Sequence, residues 1–466
     1  MAQRIALNPV ARVSGFIQVE ATIDNNRVVK ARSKGFLFKG SKKVLSGRNL
    51  FDAVYSKQGI CGVCSTAYSV ALSLALENSI GIYPSQQERY LRDIVQGCDF
   101  LQNHIRHFYQ YTLTDFVKLP ENMSLWEAEC EDFRLPRNKN CEIAEHYSES
   151  LNIVRSIQEL PALLGEKVSN SNRIFAGDVT KDKITAIKSF LHRIRQFITE
   201  KMIPDAFTIS HYYSDYYKIG SGCCNFLTYG CFHGYKEFGT LYVKPGVYIK
   251  GKESAFDSSK ITEETDYSCY LDKEGIYRAM DMITDEEIGN SDEYSWIKAP
   301  KYNGVPCEVG PLARQWLSGE YRNGTSTMDR IIARVLEAKK IVDIIDVLFE
   351  NLQISKPYKK EYVIPIHSEG AGYIDTAKGA LCHWFKIDNG IINFYRIITP
   401  SAWNFSTHIN NGIMGTAEQA LIGTLIQNIA NPVELGRIIR SFDPCVSCAT
   451  HVYSQGEYVK TIRVMP

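Results

Sequence analysis

Four cysteines in two pairs carry the strongest chemical signal in the sequence. Cys61-Gly-Val-Cys64 lies near the N-terminus, and Cys445-Val-Ser-Cys448 lies near the C-terminus. A spacing of two residues lets both thiolates of a pair bind one soft metal ion, so the four sulfurs predict a tetrathiolate site that ties the chain ends together. A structural zinc site and a catalytic metal site both fit this pattern, whereas a single pair would also fit a redox dithiol.

The composition favours metal or thiol chemistry and argues against a polyanionic partner. The 466 residues include 53 lysines and arginines against 52 aspartates and glutamates, and this balance does not favour nucleic-acid binding. The chain has 13 cysteines, and an odd number does not suit a framework made only of disulfides. Metal or thiol chemistry is therefore the better interpretation.

Targeting segments are not apparent in the sequence. No stretch approaches the roughly 18 uninterrupted apolar residues of a membrane span. The opening residues contain arginines and a proline rather than the apolar run of a secretory leader. We therefore expect synthesis in the cytoplasm, with membrane association or export only together with a partner.

Helical patterns dominate the rest of the chain and predict an α+β fold that is mainly helical. A helix is predicted over Ser65–Glu77, directly after Cys64, where its free N–H groups would favour the thiolate. Apolar residues recur at helical spacing in three longer stretches, which are residues 88–117, 182–200 and 327–352. Residues 416–429 are apolar almost all round, which predicts a buried helix.

Turn residues between alternating segments predict small antiparallel sheets. Hairpins are predicted over 17–32 and 381–398, and a third over 241–250 would turn at Pro245-Gly246. No linker or repeat divides the sequence. We therefore predict a single domain over 1–466, with a less regular part near 205–305.

The residues around both cysteine pairs resemble a known family. Lys57-Gln-Gly-Ile-Cys-Gly-Val-Cys64 and Asp443-Pro-Cys-Val-Ser-Cys-Ala-Thr-His451 resemble the two nickel-binding signatures of the nickel–iron (NiFe) hydrogenase large subunit. The resemblance covers nearly the whole chain. Further matching segments are Asn8-Pro-Val-Ala-Arg-Val-Ser-Gly15, Leu37-Phe-Lys-Gly40, Gly47-Arg-Asn-Leu-Phe-Asp-Ala53, Leu101-Gln-Asn-His-Ile-Arg-His-Phe-Tyr109, Glu308-Val-Gly-Pro-Leu-Ala-Arg314, Gly379-Ala-Leu-Cys-His-Trp384 and Pro400-Ser-Ala-Trp-Asn404.

This resemblance implies a fold, a metal centre and an activity. The fold would be that of the family's large subunit. Nickel would be held by Cys61, Cys64, Cys445 and Cys448, and Cys64 and Cys448 would also bridge to an iron that carries cyanide and carbon monoxide. The chain would catalyse heterolytic cleavage or formation of H2, with Cys445 as the first proton acceptor. Soft thiolate ligands suit nickel, so the donor set agrees with this interpretation.

The resemblance also implies partners. Electrons would leave through an iron–sulfur small subunit, and the sequence has no further cysteine grouping typical of a cluster. A maturation chaperone and a C-terminal endopeptidase are implied as well, because Val452–Pro466 resembles an extension that is clipped after His451 once nickel is bound. The alternative is that Val452–Pro466 forms a final strand of the mature protein.

Several residues near the signatures depart from the family pattern. Ser14 stands where most members have a glutamate that carries the proton away, and a hydroxyl can relay a proton but cannot hold one as a base at pH 7. Lys42 stands where a glutamate normally helps to bind magnesium together with His451, and an ammonium cannot ligate a hard cation. Tyr68 replaces a histidine one helical turn after Cys64.

Three positions are expected close to the metals. Asp375-Thr-Ala-Lys378 replaces a segment that normally ends in an arginine above the open side of the centre. Lys378 keeps the positive charge but not the planar fork of a guanidinium. Asp443 is retained and is expected to accept hydrogen bonds near the metals, and Asn103 occupies a place that is often aspartate.

Each departure also has an ordinary structural interpretation. Lys42 could be a solvated surface lysine, Ser14 a turn residue, and Tyr68 a core tyrosine whose hydroxyl is bonded. Together the replacements are typical of altered surroundings around a site whose four thiolates are all kept.

Other residues with metal-binding side chains favour structural roles. His104 and His107 lie three residues apart on a predicted helix and could share a metal, although bonded histidines on a helix face are more common. Cys223, Cys224 and Cys231 are interpreted as buried or free thiols, because adjacent side chains diverge. The remaining cysteines are interpreted as buried apolar residues, namely Cys98, Cys130, Cys141, Cys269, Cys307 and Cys382.

Three functions compete on this basis. The first is a hydrogenase large subunit. The second is a metal-binding paralogue that is poorly active or senses H2, which the changes at Ser14, Lys42, Tyr68 and Lys378 favour. The third is a metal-free scaffold of the respiratory-complex type, against which the four retained cysteines argue.

Overall fold

A computed structural model describes most of the chain. The described residues are 3–7, 16–35, 47, 65–120, 132–163, 181–238, 242–264, 277–278, 295, 297–353, 365–408, 412–444, 447–454 and 457–463. Within these ranges, no helix is long and apolar enough to cross a membrane.

Helices supply the largest apolar core. In chain order they are α1 (Ser65–Ile80), α2 (Gln86–Arg106), α3 (Arg137–Leu163), α4 (Lys181–Phe197), α5 (Ile203–Tyr212), α6 (Pro311–Ser318), α7 (Thr327–Glu350), α8 (Pro400–Asn404), α9 (Thr416–Leu421) and α10 (Val433–Ser441). Serine hydroxyls cap the two helices that form the centre of this core: Ser85 begins α2, and Ser326 begins α7, each in a capping box. Gly97 of α2 packs directly on Ile345 of α7, so the two axes approach closely.

The long predicted helices are confirmed, with changes of winding at their ends. α2 continues into a π-helical segment, His107–Thr112, and a 3-10 turn, Leu113–Asp115. α4 continues in the same way into the π-helical segment Ile198–Met202. The helix predicted after the first cysteine pair is also present, as α1.

Small antiparallel sheets complete the α+β fold. The strands are β1 (Gln3–Leu7), β2 (Phe16–Asp24), β3 (Arg27–Gly35), β4 (Phe226–Thr228), β5 (Gly246–Ile249), β6 (Lys252–Ala255), β7 (Ile261–Glu264), β8 (Tyr277–Arg278), β9 (Ala299–Tyr302), β10 (Ser368–Thr376), β11 (Gly379–Asp388), β12 (Ile391–Ile398), β13 (Ser447–Ser454) and β14 (Glu457–Arg463). They form sheets of order β14-β13-β1-β2-β3, β10-β11-β12, β4-β5-β6 and β8-β7-β9. The first sheet joins the N-terminal and C-terminal parts of the sequence.

Two of the three predicted hairpins are confirmed. β2 and β3 pair across a turn at Asn25-Asn26, and β11 and β12 pair across Asn389-Gly390. The third prediction is wrong, because Pro245-Gly246 does not form a turn between two strands. Instead β5 begins at Gly246 and pairs with β4 on one side and β6 on the other.

The predicted helix over 416–429 is also wrong beyond its first part. α9 ends at Leu421, and Gly423 has a φ of +78°, a left-handed conformation that a helix cannot continue through. The amide of Gly423 donates to the Val28 carbonyl, and the amide of Ile426 donates to the Asn26 carbonyl. The backbone after α9 therefore pairs with the β2–β3 hairpin, and this tertiary pairing overrides the helical tendency of the apolar residues.

Candidate metal centre

The predicted sulfur ligands fall mostly outside the described part of the chain. The predicted site residues that lie outside it are Cys61, Cys64, Cys445, Ser14 and Lys42. Cys448 and His451 lie on β13, where only their backbone is described. Cys448 pairs with Ile17 of β2, and His451 pairs with Ala6 of β1. Among the residues next to the cysteine pairs, Ser65, Asp443 and Pro444 lie within the described part of the chain.

α1 follows the first cysteine pair in the sequence. It begins directly after Cys64 and runs in the opposite direction to β10. Near its far end, Ser79 Oγ lies 2.8 Å from Ser368 Oγ at the start of β10. Further back along α1, Gly372 of β10 packs against the carbonyl of Ala71. The N-terminus of α1 therefore lies toward the turn that joins β10 to β11.

Lys378 lies in that turn and contacts the two residues before the second cysteine pair. Its side chain is only 4% exposed. Its Nζ donates to Asp443 Oδ1 at 2.7 Å and to the carbonyl of Pro444 at 3.3 Å. Pro444 is the residue directly before Cys445. The β10–β11 turn therefore brings together the flanks of the two predicted nickel-binding signatures.

Asp443 is the anion at the centre of this arrangement. It lies after the end of α10 with a φ of +54°, and its carboxylate is fully buried. Its second oxygen accepts from Arg334 Nη1 of α7 at 2.9 Å. Burial by itself raises the pKa of Asp443, but Lys378, His107 and Arg334 outweigh it and hold that pKa below the usual carboxyl range. Asp443 is thus a fixed negative charge between two cations.

Buried polar groups continue from Asp443 into the helical core. Arg334 Nη1 lies 3.3 Å from Asn103 Oδ1 and 3.3 Å from His104 Nδ1. His104 Nε2 lies 2.8 Å from Glu337 Oε2. Glu337 accepts two hydrogen bonds from Arg314, at 2.8 and 2.6 Å. The ions along this chain of contacts alternate in sign, and His104 links Arg334 to Glu337. Asp443 and Glu337 each have an arginine as a partner of opposite charge.

The two histidines of α2 and its π-helical continuation have separate partners. Burial, opposed by Glu337, lowers the pKa of His104 to about 4. His107 Nε2 lies 2.7 Å from the carbonyl of Arg440, and burial together with Arg334 lowers the pKa of His107 to about 3. Both imidazoles are neutral at pH 7. Among the described residues, no group of three or more histidine, cysteine, aspartate or glutamate side chains could hold a metal ion.

Tyr68 packs on the side of the site formed by α1. It is 3% exposed, and its ring meets that of His383 edge to face at 5.4 Å. His383 Nδ1 in turn lies 2.5 Å from the hydroxyl of Tyr395. Tyr68 therefore has the position of a core tyrosine in an aromatic cluster between α1 and β11.

The remaining described cysteines are outside disulfide bonds. Cys98, Cys231, Cys307 and Cys382 are buried as predicted, and Cys223 is partly buried. Cys224 and Cys141 are exposed. The prediction of burial is wrong for Cys141, because it lies on the outer face of α3 next to solvent. Cys130 and Cys269, which are also predicted to be buried, lie outside the described residues.

Residues of α7 near the site were missed in the sequence. Arg330, Arg334 and Glu337 are all buried, and Arg330 pairs with Glu308 while the other two continue the polar contacts from Asp443. Their spacing of four and three residues places them on one face of the helix. Charged residues at helical spacing in an otherwise apolar helix were the signal that could have identified them.

The family of the chain follows from comparison with known proteins. The sequence profile of the nickel-dependent hydrogenases matches residues 39–129, 122–325 and 315–451. The matched region covers most of the chain and both cysteine pairs. The chain therefore belongs to the nickel-dependent hydrogenase family, and within it to the large subunits.

Individual relatives agree with this assignment. The chain is 30% identical to the periplasmic NiFeSe hydrogenase large subunit of Desulfomicrobium baculatum, over 96% of this chain and 95% of the relative. It is 26% identical to the hydrogenase-2 large chain of Escherichia coli, over the full length of both. The solved NiFeSe hydrogenase of Desulfovibrio vulgaris Hildenborough in its reduced state superimposes with a TM-score of 0.87 at 31% identity, over 96% of this chain and 99% of that one.

The residues of this chain fit a nickel centre. Both signatures are kept in the sequence, and thiolates are the ligands that soft metals prefer. The structure adds that Lys378 is bonded to Pro444, and that the N-terminus of α1 is directed toward the end of β10 that leads into the turn of Lys378.

Proposed function

We propose that this large subunit binds its metals through four cysteines. Cys61, Cys64, Cys445 and Cys448 would hold nickel, and Cys64 and Cys448 would be shared with an iron that carries cyanide and carbon monoxide ligands. The observation that supports the proposal is the buried ammonium of Lys378, which is bonded to Asp443 and to the carbonyl of Pro444, directly before Cys445 in the sequence. The centre, when bound, would polarise H2 so that it is cleaved or formed heterolytically.

The side chains around the centre would then handle the proton. The sulfur of Cys445 would accept it first, as the family resemblance implies, and Lys378 holds the carbonyl of Pro444 directly before this residue. Ser14 would pass the proton on through its hydroxyl, since it cannot retain it as a base. Asp443 would not take up the proton at neutral pH, because its two cationic partners keep it ionised. Its role is to hold Lys378 in place.

Lys378 would act as a fixed positive charge beside the reacting atoms. Its ammonium is buried and bonded, so its position is set before any substrate arrives. A preorganised charge in a site shielded from water stabilises charge separation more than a solvated one does. Lys378 lacks the second arm of an arginine, so it would give charge without a planar fork.

The electrons would pass to a separate iron–sulfur small subunit. The relatives that match over the whole chain are named large subunit or large chain, which implies a smaller partner. We propose that the complex is made in the cytoplasm and that this chain would be exported or bound to a membrane only with that partner. One relative is named periplasmic.

Maturation would involve a chaperone and a C-terminal endopeptidase that cleaves after His451. The family profile ends at residue 451. The residues that follow lie in the sheet, since Val452 pairs with Ile5 and β14 pairs with β13. Cleavage would therefore remove β14 and the end of β13. The intact mass of the native chain tests this, because an unprocessed chain in a nickel-loaded complex would contradict cleavage and favour the final-strand alternative.

Magnesium binding at His451 is not part of the proposal. Lys42 stands in place of the carboxylate ligand, and its ammonium could supply the charge of the ion instead. We propose that the site works without magnesium. Metal analysis of the purified complex tests this, and one magnesium per chain would contradict it.

Nickel content and H2-dependent dye reduction test the main proposal together. The assembled complex should contain about one nickel per large subunit and should reduce a dye under H2 but not under argon. A complex without nickel would exclude the proposal.

A poorly active or H2-sensing paralogue is the second candidate. It is favoured by one observation, which is that Lys378 is already bonded to Asp443 and Pro444 where the family has an arginine with additional donors. Enzyme turnover is commonly about 1–1,000 per second. A nickel-loaded complex that reduces dye at least about 100-fold more slowly than the lower end of this range would support this candidate.

A further inference from the structure

Arg314 holds the backbone of the turn that carries Lys378. We propose that Arg314 is a positioning residue, which places the Lys378 ammonium beside the second cysteine pair. The inference deepens the function proposed above and rests on it for its catalytic consequence. Arg314 lies on α6, outside the predicted ligand set, and its side chain is fully buried.

The contacts of Arg314 are directed at the residues just before Lys378. Its Nη1 donates to the carbonyl of Thr376 at 2.8 Å, and its Nη2 donates to the carbonyl of Ala377 at 3.0 Å. Its Nη1 also lies 3.1 Å from Asp375 Oδ2. Three successive residues before Lys378 are therefore held by one guanidinium.

Glu337 orients that guanidinium from the other side. It accepts from Arg314 Nε at 2.8 Å and from Nη2 at 2.6 Å, which is a two-point contact. Tyr242 donates its hydroxyl to Glu337 at 2.8 Å and completes the carboxylate's surroundings. A lysine in place of Arg314 could not make both contacts and also hold the turn, because it lacks the rigid fork.

The helix α7 supports both the backbone of Lys378 and the ammonium at the end of its side chain. Through Glu337 and Arg314, α7 fixes the backbone before Lys378. Through Arg334, α7 fixes Asp443, to which the ammonium of Lys378 is bonded. His104 closes the ring, because it contacts both Arg334 and Glu337. Two sets of contacts from α7 therefore determine the position of the ammonium, one through the backbone and one through Asp443.

The start of α6 also packs on the turn. Gly310, the residue before α6, has a φ of +121°, and a Cβ there would lie 3.0 Å from the Lys378 carbonyl oxygen. A glycine is required at this position for both reasons. The helix that carries Arg314 is thus seated directly against the residue that Arg314 positions.

The first measurement is hydrogen exchange of the turn in the assembled complex. Arg314→Lys should raise the exchange rate of amides over residues 376–379 by about tenfold, because the turn loses two of its anchors. Arg330→Lys is the matched control, since Arg330 is also buried but bonds to Glu308 and Gly220 rather than to residues of the turn. Unchanged exchange at the turn in Arg314→Lys, or the same increase in the control, would overturn the proposal.

The second measurement is a double-mutant cycle on H2-dependent turnover, compared at equal nickel content. Arg314→Lys should lower kcat by about 10- to 100-fold, with little change in KM, because displacement of a catalytic charge by about 1 Å has that effect. In a Lys378→Met background the same change should have almost no further effect. Independent, multiplicative losses would show that Arg314 does not act through Lys378.

Glu337→Gln provides a second variant if Arg314→Lys does not fold. It keeps the shape of the side chain and one oxygen acceptor but removes the two-point ionic contact, so it should produce the same pattern in both measurements. Failure of the proposed function is distinguishable, because a parent complex without nickel or turnover would exclude that function while hydrogen exchange still decides whether Arg314 holds the turn.

Discussion

The residues next to the two cysteine pairs are supported by different kinds of interaction. On the side of the first pair, α1 packs on β10 through apolar side chains and close backbone contact, with Tyr68 inside an aromatic cluster. On the side of the second pair, Asp443 is held by Lys378 and Arg334, so the support consists of buried charges. The apolar support is nearly insensitive to protonation, whereas the charged support depends on it.

This difference separates rigidity from chemistry. Apolar packing gives a fixed position without affecting the charge of a neighbouring thiolate. Buried ions give position and electric field together, but breaking one pair leaves the other ion uncompensated. We therefore expect changes on the charged side to alter turnover, and changes on the apolar side to alter stability.

Cys445→Ser should have the largest effect. Loss of one thiolate from a soft-metal site should remove nickel and reduce H2-dependent dye reduction to background. Cys224→Ser is the control, because Cys224 is exposed and its sulfur lies 3.5 Å from the Gly222 carbonyl and 3.4 Å from the Thr325 hydroxyl. Metal analysis and the dye assay check both variants. Equal losses from the two serines would contradict the assignment of ligands.

Removing the charge of Lys378 should have the next largest effect. Lys378→Met should lower turnover by about 100-fold, because it removes a preorganised charge and leaves Asp443 with a single cationic partner. Lys378→Arg should keep turnover within about tenfold of the parent, since the charge is retained. Dye reduction per bound nickel measures both. Equal activity of Lys378→Met and the parent would break the distinction between the two sides.

A substitution on the apolar side should affect stability instead. Gly372→Ala would place a Cβ 2.0 Å from the carbonyl oxygen of Ala71, so α1 must move away from β10. We expect a loss of about 1–3 kcal/mol in the free energy of unfolding, with turnover per bound nickel unchanged. Gly246→Ala is the control, because its nearest atom would lie at 3.5 Å, an ordinary contact. Denaturant titration measures the loss of stability. Lower turnover per bound nickel without a loss of stability would contradict the prediction.

The change in the free energy of unfolding per pH unit should be the smallest of these effects. Burial lowers the pKa of His104 to about 4, so the folded protein resists a proton that the unfolded chain accepts below about pH 6.5. The free energy of unfolding should therefore fall as the pH drops from about 6.5 to about 4, by at most about 1.4 kcal/mol per pH unit for this histidine. His104→Gln should reduce that slope. An unchanged slope in the variant would show that His104 does not contribute.

Local sequence signals predicted much of the fold. Asn389-Gly390 specified a hairpin because few residues adopt the left-handed turn, and helical periodicity specified α2, α4 and α7. The same reasoning failed for residues 416–429, where the backbone after α9 pairs with the β2–β3 hairpin. Apolar composition indicates burial but does not distinguish a helix from backbone that is paired across the structure.

The sequence by itself predicted a metal site of four thiolates, and the residues around each pair carried the family resemblance that implied nickel, because both signals depend only on local order along the chain. It also indicated that Lys378 and Asp443 would lie near the metals. Only the tertiary structure decided that these two residues pair with each other, that Arg334 is the second partner of Asp443, and that Arg314 holds the turn before Lys378. Ion pairs between residues distant in sequence depend on how helices and turns pack, and no local pattern records that packing.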